Sequence, residues 1–386
     1  MKSTILLIVI YLAFISLGLP DGVFGVAWPD MRVDFSMPLA TAGMVSIFVM
    51  SFSAISSFSS GRVLKRFGTG RVTFISCLMT GLALLGYSKA PSFPWLIAMT
   101  LPLGLGQGAV DSGLNNYVAN NYSSRHMSWL HCCWGIGASL GPFIMTKTLA
   151  ASNEWRSGYV TLATMQLILA AIFLSSLKLW KSEGASSHEE SIKELKSSKI
   201  SILKSISPWL GILMFFFYVG AEYSVGLWAN SMLVESRNVP KEISGLWISY
   251  YYGALMLGRF ITGIVVNKLG NRKLIRIGIL VAVIGALILY IPVGSAVTML
   301  GLMLIGFGFG PIYPCMMHET PRRFDENITK KLIGYQVGAA CIGGSVLPAS
   351  LGLIFSRTSL ECLVPSLLVL LLTMIIMSEW LNRRTA

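Results

Sequence analysis

The sequence predicts an all-helical integral membrane protein, with twelve transmembrane helices in two pseudo-symmetric six-helix bundles. Three observations carry this. Of 386 residues, 54% are hydrophobic and only 12% charged, with a mean hydropathy of +0.68, whereas a soluble domain carries about 25% charged residues. The apolar residues fall in runs of about 20, the length a helix needs to cross a bilayer. Those runs do not alternate apolar with polar, which excludes a membrane barrel. Finally, glycines recur at one offset of about 202 residues. Gly43 returns as Gly245, Gly61 and Gly68 as Gly263 and Gly270, and Gly104, Gly106 and Gly108 as Gly306, Gly308 and Gly310. One offset held across the second to fourth spans is what duplication of a six-helix unit leaves behind.

Spans are expected near residues 4–27, 38–59, 70–89, 94–118, 127–150, 157–179, 208–232, 243–266, 273–294, 297–318, 331–355 and 360–381. The bundles then cover 1–177 and 208–386. The first run, from Ile5 to Leu19, lacks a small-residue cleavage site and leads into polar helical sequence, so it reads as a retained first helix. Between them, 178–207 reads as a polar cytoplasmic linker rich in Ser and Lys. It is either a flexible tether or carries a surface helix over 192–206 along the anionic inner leaflet.

The net charge of +13 is explained by the membrane and not by a nucleic-acid partner. Most Lys and Arg fall in alternate loops, which by the positive-inside rule become the cytoplasmic ones. Both termini are then cytoplasmic, as an even number of spans requires. The six cysteines lie in or beside apolar runs without metal spacing and read as small packing residues, with no disulfide expected.

The fourth span is unlike the rest. Within LPLGLGQGAVDSGLNNYVANNY, Leu101–Tyr122, it carries Gln107, Asp111, Asn115 and Asn116. Positions 107, 111 and 115 are four apart and share one helical face. A carboxylate at the bilayer centre costs at least about 2.5–3.5 kcal/mol, so it faces a cavity or a partner. The stripe therefore reads as the lining of a solute route. A proton on the buried carboxyl would neutralise it while the route reorients. The competing reading is a structural aspartate bonded to a neighbouring helix.

Between spans two and three of each half lie GRVLKRFGTGR (Gly61–Arg71) and GIVVNKLGNRK (Gly263–Lys273). Both resemble the G-x-x-x-D-R-x-G-R-[KR] loop of the major facilitator superfamily. In that reading Gly61 and Gly263 let helices approach closely, Gly68 and Gly270 turn the chain, and Arg66, Arg71, Lys268 and Arg272 face phosphates or helix C-termini. The acidic position departs from the pattern, being Lys65 in one copy and Asn267 in the other.

Four stretches extend the resemblance to the fucose permease-like sugar:proton symporters. Asp111-Ser-Gly-Leu-Asn115-Asn-Tyr117 is similar to E-x-x-x-N-P-[YF]. LHCCWGIGASLGP (Leu130–Pro142), GFGFGPIYP (Gly306–Pro314) and YQVGAACIGGSVLP (Tyr335–Pro348) resemble Gly-Pro strings of spans five, ten and eleven. The resemblance implies proton-coupled alternating access, with the proton gradient as energy source and no cofactor, in a bacterial inner membrane. It implies Asp111 as the proton carrier and Asp21, where Pro20 and Gly22 can break the first span, as a substrate-side carboxylate. Glu222 is expected to join proton handling or substrate binding. Arg259 is either a partner for a carboxylate or a snorkelling residue at the cytoplasmic end; the latter is favoured.

The partner expected is a small, sugar-like solute. Gln107, Asn115, Asn116 and Gln336 offer amide donors and acceptors for hydroxyls, and Trp134, Trp228 and Tyr313 offer ring faces. His131 is placed either on the route or at the cytoplasmic interface. Asp30 and Arg32 read as ordinary outer-loop residues. No Walker loop, zinc spacing, haem signature or nucleophile motif is present, so the chain is not read as an enzyme. A monomer suffices for this architecture. Alternatives left open are an exporter of drugs, metabolites or amphipathic compounds with the same fold, and a multi-spanning membrane enzyme or sensor.

Overall fold

A computed structural model describes residues 2–122, 124–152, 154–180, 205–291 and 295–385, without the side chain of Asn116 and a few others. The described chain is helical, with no strand. In the first half, α1 (Lys2–Gly18) and α2 (Val23–Asp34) form one broken rod, followed by α3 (Ala42–Phe67), α4 (Thr69–Ser88), α5 (Phe93–Asn121), α6 (Ser124–Ser152) and α7 (Trp155–Ser175). The second half comprises α8 (Ile206–Ser231), α9 (Lys241–Leu269), α10 (Asn271–Tyr290), the broken rod α11 (Ser295–Phe309) and α12 (Ile312–Arg323), α13 (Glu326–Arg357) and α14 (Leu363–Arg384).

Among the described residues, ten stretches are long and apolar enough to cross a membrane. The remaining two rods, α6 and α9, have 29 residues each and pack against one another, so the described rods match the expected spans. Large side chains on the outer faces stand bare, as lipid-facing ones do: Phe58 is 77% and Ile376 65% exposed. The chain is a multi-pass integral membrane protein. The surface helix expected over 192–206 lies, but for its last two residues, outside the described residues.

The two broken rods have local causes. Helix α1 stops at Gly18 because Pro20 has no N–H to donate and Gly22 adopts φ +73°, which L side chains rarely adopt. The Asp21 N–H turns back to the Gly18 carbonyl at 3.0 Å. The second break falls at Gly310–Pro311, with Pro311 capping α12. The repeated turns are nearly identical. Gly68 (φ +77°, ψ 153°) and Gly270 (φ +78°, ψ 153°) each end one helix and begin the next.

Helices α3 with α13, α6 with α9 and α2 with α8 hold the halves together. The end of the molecule bearing Arg66, Arg71 and Lys268, all exposed, is here termed the basic end. The close approach expected at Gly263 does not occur. A Cβ there would meet nothing within 4 Å, because Gly263 faces open space at the splayed basic end. Of the two partners expected for it, Arg272 takes the helix C-terminus: its Nη2 donates to the Thr385 carbonyl at the end of α14 at 2.9 Å. Its Nε donates to Glu319 at 2.6 Å, while Asn271 reaches the other oxygen at 3.2 Å. An acid from span ten thus serves where the loop itself lacks one.

Candidate functional site: a cleft between the halves

A cleft of about 1610 Å³ runs between the halves from the middle of the molecule to the basic end. At the basic end Trp129, Asn267, Asn271 and Arg322 form its rim; at its depth lie Asp21, Gly25, Val45 and Leu227. Gln107, Asp111 and Asn115 all line it. Their spacing of four places them one above another on α5, and Asn115 Nδ2 donates to Asp111 Oδ1 at 2.9 Å. Asp111 is therefore open to whatever fills the cleft, with only a neighbouring amide described at its carboxylate.

The other two carboxylates are held differently. The helix break lifts Asp21 to mid-depth, where the Trp134 indole Nε1–H donates to its Oδ2 at 2.8 Å. Glu222, 5% exposed, lies midway along α8 and faces Arg259 of α9 at 3.6 Å. The Arg259 guanidinium also covers the Trp134 ring, 4.6 Å from its centroid. Asp21 and Trp134 belong to the first half, Glu222 and Arg259 to the second. The reading of Arg259 as a snorkelling end residue is thus overturned. It lies 18 residues into α9 with its side chain only 13% exposed. Apolar neighbours in sequence hid a helical phase that turns it inward.

His131 lines the cleft one helical turn from Trp134, edge-on to Phe14 at 5.9 Å. Tyr313, which the 202-residue offset pairs with Asp111, also lines it, edge-on to Phe215 at 5.2 Å. Two expected ligands lie elsewhere. Trp228 is fully buried in the second half, its Nε1 donating to the Pro348 carbonyl at 2.8 Å and its ring against Phe355. Six residues after Glu222, it falls about 240° round the helix, away from the cleft. Gln336, 2% exposed, accepts from Thr320 Oγ1 at 3.1 Å and packs toward Gly211. Asn116 lies outside the described side chains.

The cleft also holds residues that sequence reasoning missed. Tyr218, Tyr223, Tyr252 and His318 face it from the second half, with the thiols Cys132 and Cys341 from opposite sides. The offset was the available signal: it pairs Asp21 with Tyr223. No group of three or more metal-ligating side chains occurs among the described residues.

The opposite end is clasped shut. Asp30 pairs with Lys241, and Arg32 makes a two-point pair with Glu235. Each joins the first half to the second. Asn230 Nδ2 donates to the Val26 carbonyl at 3.0 Å and Oδ1 accepts from Ser244 at 2.8 Å. Asp30 and Arg32 are thus cross-half partners and not plain loop residues. Among the described residues, the cleft reaches the surface at the basic end, away from these clasps.

The family model of the Major Facilitator Superfamily matches residues 10–348. Over 343 residues the chain is 24% identical to a putative glucose/galactose transporter of Helicobacter pylori, covering 83% of this chain and 81% of the relative. It is 23% identical over 350 residues to the cis,cis-muconate transport protein of Acinetobacter baylyi, covering 86% and 82%. Among solved structures, a point mutant of the nucleoside transporter NupG superposes with a TM-score of 0.78 at 13% identity, covering 99% of both chains. The chain is a member of the major facilitator superfamily and a transporter.

Proposed function

We propose that the protein is a proton-coupled importer of a neutral, sugar-like solute, working by alternating access in a bacterial inner membrane with its basic end and both termini in the cytoplasm. The observation that carries this is the charge balance of the cleft. Among the described residues, Asp21, Asp111 and Glu222 face one deep arginine, Arg259, with Arg322 only at the rim. Such a surface opposes a dicarboxylate and suits a neutral polyhydroxy solute, bonded by carboxylates and amides and flanked by tyrosine rings. The amides and carboxylates also disfavour the alternative of an exporter of greasy compounds.

Asp111 is the proton carrier in this reading. It meets water from the open end, and no cation is described at its carboxylate to hold it ionised. Protonation removes the charge that would otherwise have to pass through a closed, dry centre. Asp21 and Glu222 would serve substrate binding and coupling, together with Gln107, Asn115, His131 and Tyr313. One chain contains the whole cleft, so a monomer suffices and no cofactor is called for. The basic end is assigned to the cytoplasm on the positive-inside rule.

The test is uptake into proteoliposomes under an imposed pH gradient, with hexoses, a dicarboxylate and a nucleoside as separate arms. Hexose accumulation that collapses with the gradient is expected. Asp111→Asn should lower accumulation about tenfold or more while sparing solute exchange at equal pH, since only the coupled step needs the proton. Full accumulation by Asp111→Asn would overturn its role; uptake of the dicarboxylate alone would overturn the solute.

A further inference from the structure

We propose that Arg259 is a positioning residue shared by the two halves. It is the counter-ion of Glu222 directly and of Asp21 through the indole of Trp134, so that a change of charge on either carboxylate is felt by the other half. The transport consequence deepens the reading above and rests on it; the electrostatic linkage does not.

The geometry is a chain of four groups, three from helices α8, α9 and α6 and the fourth, Asp21, from the break between α1 and α2. The Glu222 carboxylate lies 3.6 Å from Arg259. The guanidinium covers the Trp134 ring face at 4.6 Å, and the edge of that ring donates to Asp21 at 2.8 Å. A cation on an indole face draws electron density toward it, which makes the N–H a stronger donor to a carboxylate. Trp134 therefore transmits what Arg259 does. It also follows that this ring face is covered in this state, so Trp134 does not offer it to a sugar as the sequence suggested.

Charge counting sharpens the point. Two carboxylates share one guanidinium, and the Arg259 Nε has no hydrogen-bond partner among the described residues. In a poorly solvated centre, removing one member of an ion pair is far more damaging than removing both. If Glu222 is neutralised, the freed guanidinium acts through Trp134 on Asp21 in the opposite half. The other titratable groups facing this set are Tyr218, whose hydroxyl donates to the Phe309 carbonyl at 3.1 Å, Tyr251, which donates to the Glu222 carbonyl at 3.3 Å, Tyr252, edge-on to Trp134, and, along the cleft wall, Cys132, His131, Tyr223, Tyr313 and Asp111.

The experiment is a set of thermal-melting cycles on purified full-length protein, which need neither proton gradient nor solute. Arg259→Gln should lower the midpoint by about 5 °C or more, and adding Glu222→Gln should restore most of that loss. Arg259→Lys, which keeps the charge, should stay near the native midpoint and guards against a Gln variant that does not fold. The effects of Arg259→Gln and Asp21→Asn should be non-additive, and should become additive in Trp134→Phe, which keeps the ring but loses the N–H. In proteoliposomes, Arg259→Gln/Glu222→Gln should lose gradient-driven accumulation about tenfold or more. Additive effects of Arg259→Gln and Glu222→Gln, a 21–259 coupling unchanged by Trp134→Phe, or full accumulation by the double variant would each overturn the proposal. Coupling in the melts without any proton-driven uptake would sink the transport reading alone.

Discussion

The two ends of the molecule are built from the same repeat yet hold themselves in opposite ways. At the clasped end Asp30 to Lys241, Arg32 to Glu235 and Asn230 to Val26 cross between halves, beside Arg156–Asp34 and Arg237–Glu361, which stay within one. At the basic end the described ion pairs lie within the second half, Arg272 and Arg323 on Glu319 and Arg276 on Glu379. Glycines tell the same story. A Cβ on Gly25 would lie 2.3 Å from the Gly226 carbonyl oxygen, one on Gly43 2.6 Å from Ala349 Cα, and one on Gly245 2.0 Å from Thr146 Oγ1. At the basic end a Cβ on Gly263, Gly334 or Gly338 would meet nothing within 4 Å. One end is shut by backbones touching through missing side chains. At the other these three glycines stand bare, and the described ion pairs stiffen the second half on its own.

The strongest way to break this contrast is Gly25→Val. A backbone carbonyl 2.3 Å from the new Cβ does not yield as a flexible side chain would, so the clasp must part. Cys132 and Cys341 line the cleft and serve as built-in reporters. A membrane-impermeant maleimide applied from the basic end should label them in the native protein. In Gly25→Val that labelling should fall about tenfold, which needs only about 1.4 kcal/mol of population shift. Unchanged labelling would mean the clasped end does not set the state.

A smaller effect is expected from the clasp charges. A partly exposed ion pair contributes about 1 kcal/mol or less, and the Arg32 and Glu235 side chains are 28% and 20% exposed. Glu235→Arg replaces attraction by repulsion and should cut basic-end labelling by about three- to fivefold. Arg32→Glu in the same chain should restore it. Failure of the swap to restore labelling would show that the pair is incidental to closure.

Sequence reasoning reached the rods, the duplication and the polar stripe because each is written locally. A 20-residue apolar run, a glycine needing positive φ at 68 and 270, and polar residues four apart are all visible in one stretch of chain. The clasp was not legible. Arg32 and Glu235 lie 203 residues apart, and nothing about either residue names its partner. Trp228 and Arg259 were misassigned for a related reason. Hydropathy locates a residue along a helix, while its use depends on rotation about the axis. Rotation puts Trp228 into its own bundle's core and Arg259 into the cleft. The 202-residue offset carried part of that information, since it pairs Asp111 with Tyr313, and both line the cleft.

The mildest substitution sharpens the contrast most finely, because it is chemically the same at both ends. Inside a helix, Gly→Ala removes backbone freedom from the unfolded chain and favours the helix by about 0.5–1 kcal/mol. At Gly263 and Gly338 the added methyl meets open space, so Gly263→Ala and Gly338→Ala should each raise the melting midpoint by a degree or two. At Gly25 the same methyl meets the Gly226 and Leu227 carbonyl oxygens at 2.3 and 2.9 Å, so Gly25→Ala should lower it. The two basic-end variants carry a second consequence. If those bare glycines become the touching surfaces when that end closes, the more stable proteins will exchange solute more slowly, because the methyls obstruct only the state not seen here. Gly263→Ala and Gly338→Ala proteins that melt higher and exchange at the native rate would show that closure of the basic end uses other surfaces.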